Sequence, residues 1–169
     1  KVSISRLKNI DVVDLLGREE VKLDIEQIKD QLTDKVILVT GAGGSIGSEI
    51  CRQVMHFTPK KLILLGHGEN SIYLIERELR QTFATKTTKI IPVIADVQDR
   101  QRMMDVMSEH RPQIVYHAAA HKHVPLMEAN PRESVKNNVY GTKNVAEAAK
   151  AAGVAKFVMV STDKANNPP

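Results

Sequence analysis

Gly41, Gly44 and Gly47 follow directly on the apolar run Val36–Thr40 and lead into a helix-like pattern, a spacing suited to holding a diphosphate. The first glycine permits a tight turn, the second lets backbone approach the phosphates, and the third lets the helix pack close to the strand. Ser45 and Ile46 open that helix, whose N-terminus carries free amides and partial positive charge. Without a ligand the same pattern is a glycine-rich strand-to-helix turn. A P-loop is excluded, because no Lys-Ser or Lys-Thr pair follows Gly47. A second concentration of reactive types runs Tyr116-His-Ala-Ala-Ala-His-Lys-His123. His117, His121 and His123 lack a nearby cysteine and the i, i+4 helical spacing of metal-binding pairs, so packing or substrate contact is expected and no metal is assigned. Ala118, Ala119 and Ala120 are small where a cofactor ribose would pass a strand end. Thr162-Asp163-Lys164 sets a hydroxyl, a carboxyl and an amine side by side, which by composition alone reads as a surface turn before Asn166-Asn-Pro-Pro169.

These residues must be positioned by an alternating pattern. Short β-branched runs at 36–40, 62–65, 90–94, 113–117 and 157–161 are separated by helix-like stretches at 46–56, 71–83, 99–110 and 134–152. The runs are apolar at nearly every position, as strands covered on both faces require. The expected fold is therefore α/β: a Rossmann-type doubly wound parallel sheet of about five strands, order 3-2-1-4-5, with right-handed crossovers. Residues 1–34 read as a charged N-terminal connector with one short helix, in which Leu23, Ile25, Ile28 and Leu32 share a face. Residues 35–169 read as the dinucleotide-binding domain.

Composition narrows the class. At 169 residues the chain is long enough for one domain, which buries roughly 70% of the surface its unfolded form exposes. With 42% hydrophobic and 26% charged residues it is ordinary globular sequence, so disorder, collagen and coiled coil are excluded. The single Cys51 excludes a disulfide scaffold and a cysteine zinc site, and fits a reducing, cytoplasmic compartment. The net charge of +4 is spread along the chain, and with three Phe, three Tyr and no Trp there is little to stack bases, so no nucleic-acid partner is expected. No apolar run approaches a membrane span, so this segment is expected to make no membrane contact.

The spacing Gly41-x-x-Gly44-x-x-Gly47 led by Thr40 resembles the extended, nucleotide-sugar branch of the short-chain dehydrogenase/reductase superfamily. Asp14-Leu-Leu-Gly-Arg18, Gly66-His-Gly-Glu-Asn70, Lys122-His-Val-Pro-Leu-Met-Glu128 and Thr162-Asp163-Lys164 make the resemblance more specific. Over essentially its whole length the chain is similar to the bacterial UDP-N-acetylglucosamine 4,6-dehydratases of polysaccharide biosynthesis, the CapD type. That resemblance implies NAD or NADP as cofactor and a UDP-sugar as substrate. Hydrogen leaves C4 for the nicotinamide, water is lost across C5 and C6, and hydrogen returns to C6. Thr162 would hydrogen-bond the C4 oxygen, Asp163 would act as the acid at C6, and Lys164 as the base at C5. Asp163 then needs a raised pKa and Lys164 a lowered one, both supplied by burial. Lys122, His123, Leu126 and Met127 would approach the sugar or diphosphate, with packing as the alternative. Asn138 would order backbone and water near the site, and Gly141 permits close helix packing. Tyr140 and Lys143 are three apart, one short of the superfamily's catalytic pair.

Two departures qualify the resemblance. The acidic residue expected after the second strand to hold the adenosine ribose is missing, and Gly66-His-Gly-Glu69 stands there. Glu69 reaching round would suit NAD and His67 facing a 2′-phosphate would suit NADP, so both cofactors stay open. Asp96, with Val97 beside it, is either an adenine-amine contact or a turn or N-cap residue for the stretch beginning at Gln98. The chain also stops at Pro169, before the family's following lysine motif, its sixth and seventh strands and its C-terminal substrate lobe. It therefore reads as a piece that holds a dinucleotide without turning over, open to homo-oligomer formation, from a parent at the cytoplasmic face if that parent carries membrane helices. The alternatives are a nucleotide-sugar 4-epimerase, which has no use for an acid–base pair at C6, and a non-catalytic dinucleotide-binding module.

Overall fold

The computed structural model describes residues 24–119, 132 and 136–160. The five β-branched runs form one parallel sheet of strands β1 (Val36–Thr40), β2 (Lys61–Gly66), β3 (Lys89–Ile94), β4 (Ile114–His117) and β5 (Lys156–Met159). Their spatial order is β3-β2-β1-β4-β5, as the alternating pattern predicts. The register sets Thr40 opposite both Leu65 and His117, and Gly66 opposite Ile94, so the carboxyl ends of four strands finish at one level.

Both faces of the sheet are covered, which is why the strands do not alternate apolar with polar. Ile37, Val39, Leu62, Leu64, Ile90 and Ile114 face one way. They pack against Cys51, Val54 and Met55 of α2 (Ser45–Met55) and Ile72, Ile75 and Leu79 of α3 (Glu69–Thr82). Leu38, Ile63, Leu65, Val93 and Val115 face the other way, against Met103, Val106 and Met107 of α4 (Arg100–His110) and Val145, Ala148 and Ala149 of α5 (Thr142–Ala151). Period-2 side-chain alternation thus feeds two cores at once.

Local chemistry sets the ends. The helix α1 (Ile25–Leu32) is capped by Asp24, whose side chain accepts from the Gln27 amide at 3.2 Å. It reaches the core only through its last turns, where Leu32 is buried and Ile28 partly so. Ile25, expected on the same face, is 63% exposed because the first turn does not overlie the core, and Leu23 lies outside the described residues. α3 begins at Glu69, two residues earlier than its apolar periodicity suggests, because Gly68 serves as N-cap and an acidic residue suits the first turn. The stretch expected as one long helix at 134–152 instead opens with a π-helical turn, Lys136–Gly141, before α5. Gly141 at that junction lies so close to Val97 that a Cβ there would meet Val97 Cγ2 at 2.7 Å. Among the described residues no helix is long and apolar enough to cross a membrane.

Leu38 sits fully buried in the central strand. Leu38→Ala is expected to destabilise by roughly 2–5 kcal/mol in urea unfolding. Ile94→Ala, at the exposed end of an edge strand, should cost under about 1 kcal/mol.

Candidate functional site

The chain runs outward from β1 to β2 and β3, then returns to the far side of β1 for β4 and β5. Crossover helices therefore leave β1 and β4 in opposite directions, and a crevice opens beyond their carboxyl ends. The structure has a cleft of about 240 Å3 there, and among the described residues that line it only His67 and Ser71 carry polar side chains.

Its floor is the glycine turn. Gly41 has φ +64°, a left-handed conformation that disfavours any side chain, and a Cβ there would also meet Ala118 O at 2.7 Å. The Gly44 amide donates to Gly41 O at 3.0 Å and the Ala42 amide to Leu65 O at 3.1 Å, which ties the turn to itself and to β2. At Gly47 a Cβ would fall onto Gly41 O, so the helix starts where only a glycine lets it start. Gly44 differs: among the described residues a Cβ there meets one atom within 4 Å, Gly41 O at 3.3 Å, so the space beside it belongs to the cleft. As N-cap of α2, Gly44 offers no side-chain acceptor to the first-turn amides, which a helix leaves without intrahelical partners.

The walls come from the other strand ends. Gly66, His67, Gly68 and Ser71 form the side beyond β2, Ala95 and Val97 the side beyond β3, and Ala118 and Ala119 the side beyond β4. The structure thus brings Gly41, Gly44, Ile46, Gly47, His67, Val97, Ala118 and Ala119 together, all singled out from sequence. Ser45, Asp96 and Asn138 do not line the cleft. Asp96 is exposed, and its Oδ1 accepts the Gln98 amide at 2.9 Å, a turn contact that leaves its second carboxylate oxygen to the adenine reading. The N-cap of α4 is Asp99, which accepts from the Arg102 amide at 3.0 Å. Asn138 is half-buried in the π-helical turn. Ala120, Lys122, His123, Leu126, Met127, Thr162, Asp163 and Lys164 lie outside the described residues, as do His121 and Ser161.

Sequence reasoning missed Gly43, Leu65, Gly66, Gly68, Ser71 and Ala95. Gly43 left a signal, as a fourth glycine the diphosphate spacing does not use; a Cβ there would run into Ser71 Oγ. The turn is therefore pressed against α3 as well as α2. Beyond that contact the two helices are joined by Arg52, whose Nε and Nη2 donate to the two carboxylate oxygens of Glu78 at 2.6 and 3.0 Å. That fork holds the Glu78 carboxyl below its ordinary range and raises the guanidinium further.

His117 is a structural residue. It is buried at the end of β4, with Nδ1 2.7 Å from Thr40 Oγ1 and Nε2 2.9 Å from Thr142 Oγ1. Its ring stacks on Phe157 at 6.1 Å. The Ala118 amide donates to Thr40 Oγ1 at 3.2 Å, extending the network to the cleft wall. Neutral imidazole needs one donor and one acceptor role, and two hydroxyls supply both. Burial pushes its pKa down to about 4. Burial also lifts the Cys51 thiol to about 12, which leaves it an inert core residue. Among the described residues no group of three His, Cys, Asp or Glu is placed to hold a metal.

Two outcomes follow from this geometry. Gly47→Ala should destabilise by roughly 1–3 kcal/mol in urea unfolding, since α2 must retreat from the turn. His117 is held neutral, so between its ordinary 6.5 and its folded value of about 4 the unfolded chain binds the extra proton. Stability is then lost as pH falls through that window and is independent of this group above it. From pH 7 to pH 5 the wild type should lose roughly 2 kcal/mol more than His117→Gln, carboxylate titration cancelling between the two.

The same cleft-bearing sheet occurs in known proteins. The chain is 61% identical over 168 residues to the capsular polysaccharide biosynthesis protein CapD of Staphylococcus aureus, covering 99% of this chain and 28% of that protein. It is 37% identical over 135 residues to a UDP-N-acetylglucosamine 4,6-dehydratase (inverting) of Campylobacter jejuni, covering 79% of this chain and 38% of the enzyme. The solved UDP-glucose 4-epimerase of Stenotrophomonas maltophila, with bound NAD and a formylated UDP-arabinopyranose, is 28% identical and superposes with a TM-score of 0.65. That superposition covers 77% of this chain and 38% of the epimerase. The chain thus spans between 28% and 38% of the length of these curated relatives. Residues 37–169 match the family model described as polysaccharide biosynthesis protein, and the chain belongs to that family.

Proposed function

We propose that this chain is the dinucleotide-holding part of a nucleotide-sugar 4,6-dehydratase that uses NAD or NADP and acts on UDP-N-acetylglucosamine for cell-surface polysaccharide. The observation that carries the reading is the space beside Gly44, which no side chain among the described residues fills, at the start of α2 and at the β1–β4 crevice. A diphosphate placed there meets helix amides and a glycine-rich turn. The Stenotrophomonas epimerase, of the same fold, holds NAD together with a UDP-sugar.

The residues divide the dinucleotide among them. Gly41, Gly44, Ser45, Ile46 and Gly47 hold the diphosphate through backbone. Ala95 and Val97 flank the adenine, and Asp96, by its Asx turn, shapes that loop. His67, Gly68 and Ser71 border the adenosine ribose. Among the described residues no carboxylate lines that side of the cleft, and Glu69 stands outside the lining, so both the 2′-hydroxyl and the 2′-phosphate form are admitted. Ala118 and Ala119 form a low wall for the second ribose, Ala120 is assigned to the same ribose from its sequence position, and Asn138 orders backbone near it.

When bound, the dinucleotide supplies reversible two-electron oxidation, taking hydrogen from C4 of the sugar and returning it at C6. The side chains proposed for the proton work are Thr162, donating a hydrogen bond at O4, Asp163, protonating the departing C6 hydroxyl, and Lys164, removing the C5 proton. Lys122, His123, Leu126 and Met127 are assigned to the sugar and its diphosphate. The epimerase reading draws on the Stenotrophomonas likeness, and product analysis on the full-length protein separates the two. A 4-keto-6-deoxy sugar supports the dehydratase; a 4-epimer overturns it.

The cofactor assignment is tested on this chain by calorimetric titration with NAD and NADP. Binding is expected for the wild type. Gly44→Val, which fills the cleft and meets little protein, should keep stability within about 1 kcal/mol while weakening dinucleotide affinity at least tenfold. Absence of wild-type binding at millimolar dinucleotide overturns the assignment.

A further inference from the structure

The first turn of α5 touches two separate rims of the cleft, yet none of its residues lines it. Thr142 Oγ1 sits 2.9 Å from His117 Nε2, and through His117 and Thr40 Oγ1 it reaches the Ala118 amide on the β4 rim. Two residues on, the Asn144 side-chain amide donates to Val97 O at 3.0 Å and to Gln98 O at 3.1 Å, in the loop that follows β3. Gly141, just before this turn, lets the helix close on Val97. The β3 loop has left the ladder at this point: its last sheet bond is from the Ala95 amide to Gly66 O, at 3.0 Å. Beyond it Val97 is held by burial in the core, the Asp96 turn by the Gln98 and Asp99 amides, and the Val97 and Gln98 carbonyls by one side chain of α5.

We propose that Thr142 and Asn144 are positioning residues for the dinucleotide, Asn144 setting the adenine-side loop and Thr142 the β4 rim beside the second ribose. The inference rests on the cofactor reading above and adds that one helical turn holds the two ends of the ligand in register. Both residues act through others. Thr142 bonds a buried imidazole whose second partner is a hydroxyl of β1. Asn144 bonds two carbonyls, and a carbonyl left without its donor no longer has a reason to stay where it is. Neither interaction uses a formal charge, so the clamp is insensitive to salt.

The two arms predict different losses, which a general structural role would not. Titration with ADP probes the adenine side and diphosphate alone, and NAD probes both ends. Asn144→Leu, close in shape but unable to donate, should weaken ADP and NAD alike by about tenfold, the scale of one or two lost hydrogen bonds. Thr142→Val, isosteric without the hydroxyl, should weaken NAD by about tenfold and leave ADP within about twofold, and Thr142→Ser should restore NAD binding. Urea unfolding of each variant confirms a folded state at the titration temperature; if Asn144→Leu does not fold, Asn144→Asp carries the same expectation. Equal losses on both ligands for both variants, or wild-type affinities throughout, overturn the clamp while leaving the cofactor reading intact. Wild-type protein that binds neither ADP nor NAD overturns the cofactor reading, and the clamp with it.

Discussion

The contact on which the rest depends is the absence of a side chain between Gly47 and Gly41. A Cβ on Gly47 would occupy the position of the Gly41 carbonyl oxygen, so α2 starts directly against the turn that ends β1. With the helix so close, its N-terminal amides stand beyond the carboxyl end of the central strand. Gly43 adds the same constraint laterally, where Ser71 of α3 comes up against the turn. The cleft is thus the space left when two helices are drawn onto one glycine turn, and its floor is backbone because nothing larger fits.

Much of this was legible in the sequence because the physics is local or periodic. Val36–Thr40 reads as a doubly covered strand from five consecutive β-favouring residues, and the structure buries four of them. The strand order follows from strand–helix alternation and crossover handedness. What was not legible depends on which residue meets which across the fold. Asp96 has one side chain for two plausible tasks, and the sequence does not say that its Oδ1 accepts the Gln98 amide. Ile25 fits the apolar stripe of α1, but a stripe does not say where the core beneath it ends. The π-helical turn before α5 follows no residue pattern; it coincides with the approach of Gly141 to Val97. Thr162, Asp163 and Lys164 rest on resemblance alone.

His117 shows how a reactive residue type becomes a structural one. Three histidines in seven residues invite a metal, yet His117 is 2% exposed with both ring nitrogens spoken for by threonines. Binding a metal would take one nitrogen from its hydroxyl partner and break a hydrogen bond at the end of β4. Its desolvated, neutral ring instead joins β1, β4 and α5 at the level where the cleft begins.

The make-up of the described cleft wall has a consequence for recognition. Among the described residues that line it, only His67 and Ser71 carry polar side chains, and the Ser71 hydroxyl already donates to Gly68 O at 2.9 Å. A ligand carrying two phosphates must then be met by backbone dipoles, which favour any diphosphate at a helix start and distinguish poorly between the groups attached to it. Discrimination has to come from shape: how far apart the β3 loop and the β4 rim stand, and what rings fit beside each. In the sheet those two rims are joined only by way of β2 and β1, which lie between β3 and β4. The first turn of α5 bonds to both sides directly, to His117 of β4 and to the loop after β3. On the proposed cofactor reading the floor supplies attraction, while the helix behind the cleft supplies the ruler.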